Sequence, residues 1–106
     1  MTQQQKTTLR EVMSLAWQFV KLNGFGLSEA LKTSWRNVKT RAAMHAGIAR
    51  FTFRKVDGTI REAFGTLRAD LVPSHTSGRT PNKTVQVYFD TEKAAWRCYK
   101  KANLLI

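Results

Sequence analysis

Cysteine, proline and acidic residues are scarce in this 106-residue chain. The single cysteine, Cys98, has no partner for an intramolecular disulfide, and it excludes a multi-cysteine zinc site. No apolar run approaches the roughly 20 residues that a membrane-crossing helix needs. The polar start, MTQQQKTTL, lacks the apolar centre of a secretory signal. These absences predict a soluble, cytoplasmic protein without membrane association. Only seven carboxylates are present, too scattered to suggest an acid–base pair, and Asp57 and Asp90 have turn roles. His45 falls at a helix end and His75 in a loop, with no third group to complete a triad or a ligand set. Cys98, beside Trp96, reads as a buried apolar thiol rather than a nucleophile. There is no P-loop and no GxGxxG. An enzyme is therefore not expected, and neither is a metal or a cofactor.

What the chain does have is apolar content and positive charge. Hydrophobic residues make up 42% and aromatics 10%, which argues for a folded domain. Eighteen lysines and arginines give a formal net charge of +11, pointing to phosphate-bearing partners. That charge is spread along the chain, and what changes near Gly47 is the hydrophobic period. Residues 1–47 read as a two-helix segment and residues 48–106 as a small β-barrel domain.

In the first half, Thr8 and Glu11 have the spacing of a capping box. Leu9, Val12, Met13, Ala16, Trp17 and Val20 then follow helical spacing on one apolar face. Asn23-Gly24-Phe25-Gly26 ends this helix, and Ser28 is placed to cap a second. The second stripe is Leu27, Leu31, Trp35, Val38 and Ala42, so the two helices are expected to pack stripe against stripe, with both tryptophans in the core.

The second half alternates with period two. Phe51 and Phe53 share one face of a first strand, Ile48 to Val56, and Arg50, Thr52 and Arg54 share the other. Asp57-Gly58 signals a hairpin into a second strand, Thr59 to Leu67. A polar loop from Arg68 to Lys83 follows, long enough to suggest function. Val85, Val87 and Phe89 alternate on a third strand, and Ala94 to Lys100 forms a fourth. Asn103 to Ile106 is available as a short fifth strand. The expected fold is α+β: an N-terminal helical hairpin followed by an antiparallel barrel of four to five strands, because closure removes exposed edges.

The strand Phe51-Thr52-Phe53, the hairpin Asp57-Gly58-Thr59-Ile60-Arg61-Glu62, and then Gly65-Thr66-Leu67, Tyr88-Phe89-Asp90 and Trp96-Arg97 form an ordered pattern. In that order and spacing, roughly residues 48–106 resemble the small WYL-like, Sm-like β-barrel proteins of phages and Bacteroidales mobile elements. The resemblance implies a Src-homology-3-like or Sm-like barrel and no enzymatic activity. Related barrels in bacterial regulators look like sensors of nucleic acids or nucleotides. The Trp-Tyr-Leu signature is absent here, and Trp96 and Tyr99 are loose counterparts, so no binding residue carries over.

Three groups of residues are candidates for phosphate contact. Lys32, Arg36 and Lys39, at i, i+4 and i+7, line one side of the second helix, either as a phosphate-tracking ridge or as a solvated face. On the sheet, Arg50, Arg54, Arg61 and Arg97 with Tyr88 and Tyr99 would combine charge and stacking; the tyrosines fall opposite their strands' main apolar sets. In the loop, Arg79 and Lys83 stand among hydroxyls and glycine, with Arg68 at its start. The leading expectation is a non-enzymatic binder of nucleic acid or a nucleotide, serving regulation or counter-defence in a phage. The alternative is a protein-interaction module that oligomerises or engages an acidic host protein. A helix-turn-helix over residues 28–44 lacks an identifiable third helix.

Overall fold

The computed structural model describes residues 3–72 and 83–105, with side chains from residue 6 onward. Two helices, α1 (Gln3–Asn23) and α2 (Leu27–Ala46), precede four strands: β1 (Ile48–Arg54), β2 (Ile60–Thr66), β3 (Val85–Asp90) and β4 (Ala95–Lys100). A single 3-10 turn, Lys101–Asn103, follows β4.

Helix α1 is under way by Gln3, so Thr8 and Glu11 lie inside it and do not cap it. Glu11 instead pairs with Arg41 of α2. Gly24, at φ +70, takes the left-handed conformation that ends α1. Gly26, not Ser28, is the N-cap of α2.

The helices do not pack stripe against stripe. The buried side chains of α1 are Val12, Ala16 and Phe19, and α2 buries Ala30, Thr33, Ser34, Asn37 and Met44. Trp17 and Trp35 are 49% and 38% exposed, which corrects their assignment to the core. Small residues, Ala16 against Ala30, let the backbones approach, and Phe19 with half-buried Leu15, Val20, Phe25 and Leu31 fills the space around them. Hydrogen bonds from Asn37 of α2 and from Thr66 of β2 tie the hairpin to the barrel. Asn37 Nδ2 donates to the Lys101 carbonyl at 2.8 Å, and Thr66 Oγ1 donates to the carbonyl of Gly47 at 2.7 Å.

The strands pair in sequence order, all antiparallel. β1–β2 and β3–β4 are full ladders, whereas β2 meets β3 at Gly65↔Asp90 and Thr66↔Phe89 only. The chain end closes the circle with one bridge, Phe53↔Leu104, and a bond from Leu105 N to Thr52 O of 2.9 Å. Among the described residues, that is what exists of the expected fifth strand. The β1–β2 turn is shaped by Asp57, whose Oδ1 accepts from the Thr59 amide and hydroxyl, and by Gly58 at φ +93.

Inside the barrel lie Ala49, Phe51, Phe53, Ala63, Tyr88, Tyr99 and Leu104, capped by Met44 of α2. Tyr88 is fully buried and Tyr99 is 3% exposed, so neither is a surface stacking platform. The inward set of β3 is Gln86, Tyr88 and Asp90, and its aliphatic residues Val85 and Val87 point the other way, with Val87 40% exposed. By the same alternation Tyr99 faces in and Cys98 is exposed, which corrects the expectation of a buried thiol.

Candidate nucleic-acid interface

Between the β1–β2 hairpin and the β3–β4 ladder lies a groove of about 580 Å³. Its floor is the aromatic edge of the core, Phe53, Tyr88 and Tyr99. Five cations line it: Arg54 and Lys55 at the end of β1, Arg61 on β2, and Arg97 and Lys100 on β4. The one carboxylate in the lining is Asp57, which is engaged by Thr59; those bonds hold its carboxyl below the usual range.

The groove exists because β2 and β3 part below Gly65↔Asp90. Arg61 reaches across the parting, and its Nη2 donates to Asp90 Oδ2 at 2.6 Å. The Asp90 carboxylate is fully buried, and its other oxygen accepts the backbone amides of Glu92 and Lys93 at 3.0 Å each. A buried carboxylate satisfied this completely is a structural element. Arg61 thus has one end committed to the fold, while Arg54, Lys55, Arg97 and Lys100 are exposed and have no ion pair among the described residues. Burial pushes the Tyr88 phenol up to about 12, and the neighbouring Asp90 adds to the shift. Burial raises the Tyr99 phenol too. Both rings are therefore neutral at physiological pH and offer the groove an apolar floor.

The fold brings Arg54, Arg61 and Arg97 together with Tyr88 and Tyr99, five of the residues expected from sequence. It separates the others. Arg50 shares the outward face of β1 with Arg54 but does not line the groove, and it pairs with Glu62 at 3.0 Å. Lys32, Arg36 and Lys39 are exposed on α2, away from the groove. Lys83 is exposed, and its carbonyl accepts from Gln18 Nε2 on α1 at 3.2 Å. Arg79 and His75 lie outside the described residues, and Arg68 pairs with Asp70 at 2.9 Å. Lys55 and Lys100 were missed by sequence reasoning. The signal for Lys55 was its place beside the Asp57-Gly58 turn; Lys100 is shown only by the register Val85↔Lys100.

Among the described residues, no three His, Cys, Asp or Glu side chains stand close enough to hold a metal ion. No described helix is long and apolar enough to cross a membrane.

The profile of the WYL_2 family, described as an Sm-like SH3 β-barrel fold, matches residues 32–105. The chain is also similar to an uncharacterised 11.5 kDa protein from the Gp31-cd intergenic region of Enterobacteria phage T4. The two are 34% identical over 74 residues, covering 64% of this chain and 71% of the phage protein. No solved structure matches the chain.

Proposed function

The chain belongs to the WYL_2 family of Sm-like SH3 β-barrels, and from that premise we propose that it binds nucleic acid or a nucleotide, without catalysis, in the groove beside its β1–β2 hairpin. One observation carries this reading: five cations line the groove against a single engaged carboxylate. Phosphates are the ligands that such an arrangement attracts, and each phosphate neutralised releases counterions. The planar guanidinium groups of Arg54 and Arg97 also supply a surface on which a base can lie, a role the buried tyrosines do not fill. In a phage such a binder serves gene regulation, or counters host defence by sequestering a nucleotide signal.

The test is fluorescence anisotropy of a labelled single-stranded oligonucleotide across a salt series. The Arg54→Ala/Arg97→Ala variant is expected to bind about tenfold more weakly, with the salt slope reduced by roughly 0.7 for each arginine removed. Arg50→Ala, outside the groove lining and paired with Glu62, is expected to bind as the parent does. Equal affinity of the double variant and the parent would remove the groove from the site.

A further inference from the structure

The helical hairpin carries a second surface, remote from the groove. Two successive turns of each helix face the other: Val12 and Ala16 on α1, Ala30 and Ser34 on α2. One residue further along is a rotation of about 100°. The two helices are antiparallel and both right-handed, so this step carries Met13 and Trp17 on α1 and Leu31 and Trp35 on α2 to the same side of the hairpin. The opposite step leads to the barrel: Glu11 and Gln18 lie there, with Gln18 bonded to the Lys83 carbonyl. The tryptophan side therefore points away from the barrel. On it, Leu9, Met13, Trp17, Leu27 and Trp35 are all exposed, between 38% and 49%.

Shape and charge both restrict what covers this face. Half-buried Val20 and Leu31 form the floor of a valley between the helices, with Trp17 and Trp35 on its two banks. Beyond the banks run two basic rows, Lys6, Arg10 and Lys21 on α1 and Lys32 and Lys39 on α2. Arg36, two residues past Ser34 as Gln18 is two past Ala16, turns toward the barrel side. All six are exposed and have no ion pair among the described residues. Of the two acids on the helices, Glu11 is held by Arg41 on the barrel side, and Glu29 lies in the first turn of α2.

We propose that this valley docks an amphipathic helix of another protein, one with an apolar stripe flanked on both sides by Asp or Glu, to complete a three-helix bundle. A rod fits between the two tryptophans, ridges into groove, and acidic flanks meet both basic rows. A second copy of this chain would set five cations against five, a juxtaposition that like-charge repulsion disfavours. A bilayer is flat and does not exploit a valley.

The probe is a synthetic peptide about 18 residues long, with leucines on one face and glutamates on both edges. Its control is a scrambled isomer of the same composition and charge. Titration calorimetry on the full chain is expected to show the amphipathic peptide binding at least about tenfold tighter than the isomer, with a gain of helical circular dichroism. Trp17→Glu and Trp35→Glu, both at exposed positions, should each abolish that preference while circular dichroism shows the fold retained, and Arg54→Ala should leave it intact. Equal binding of the two peptides, or a preference that survives both tryptophan variants, overturns the proposal. So does self-association lost in Trp17→Glu, which would place a second copy on this face. Tighter binding to phosphatidylglycerol vesicles than to the peptide would give the face to a lipid surface instead.

Discussion

Arg61 and Asp90 lie on strands that meet at only two residue pairs, and the 2.6 Å bond between them spans the place where β2 and β3 part. Asp90 contributes a fully buried carboxylate, and Arg61 is the one groove cation bound into the fold. The same pair therefore bridges the parting between β2 and β3 and sets one wall of the candidate site.

Removing the arginine leaves a buried charge with only neutral donors. Arg61→Met is expected to lower stability by about 3 kcal/mol, within the range for breaking a buried pair. The check is the urea midpoint of the parent against the variant. A change under about 0.5 kcal/mol, the scale of an ordinary surface substitution, would mean that the seam does not depend on this pair.

Gly65 sits where the core is tightest. A Cβ there would lie 2.5 Å from Tyr88 Cδ2 and 3.1 Å from Phe51 Cε1, both ring atoms. Gly65→Ala is thus an overpacking substitution, and a loss of about 2 kcal/mol is expected. Gly26→Ala, with open space around the site, should be much milder. Thermal unfolding of both variants makes the comparison, and equal effects would contradict it.

Tyr99 has a buried hydroxyl without a hydrogen-bond partner among the described residues. Its ring stacks on Phe53 at 5.3 Å and packs on Phe51 at 5.2 Å. Tyr99→Phe keeps those contacts and removes an unsatisfied oxygen, so it is expected to raise stability by about 1 kcal/mol. A lower denaturation midpoint would show that the hydroxyl has a partner, such as a buried water.

Tyr88 makes stability depend on alkaline pH. Its phenol titrates at 10.0 when unfolded and at about 12 when folded, chiefly because it is buried. The folded state thus favours the protonated form. The stabilisation is complete below pH 10 and is lost as pH rises through about 12, a change on the order of 2–3 kcal/mol. Unfolding free energy measured from pH 9 to 12 should fall in the parent and fall less in Tyr88→Phe. Parallel curves would show that Tyr88 does not titrate in this way.

The order of elements was legible in the chain because period and punctuation are local properties. Helical spacing up to Ala46, alternation from Ile48 and the Asp57-Gly58 turn all appear in the structure close to where the sequence puts them. The family pattern pointed to the barrel on the same grounds, since its short words are the turn and strand residues of that meander.

What alternation does not determine is which set of residues faces in. On β3 the outward set is Val85, Val87 and Phe89 and the inward set is Gln86, Tyr88 and Asp90, the reverse of a polarity reading. Small Ala63 and Gly65 on β2 leave volume that only large rings from β3 and β4 fill, and Arg61 neutralises the carboxylate beside them. The helices repeat the lesson. Ala16 and Ala30 allow close approach, so the backbones meet through small residues and the tryptophans are left outside. The sequence by itself therefore determined the elements, the turns and the total positive charge. Tertiary structure alone decided which arginines share a groove, since that depends on strand register and on where β2 leaves β3, and both follow from side-chain volumes packed across the barrel.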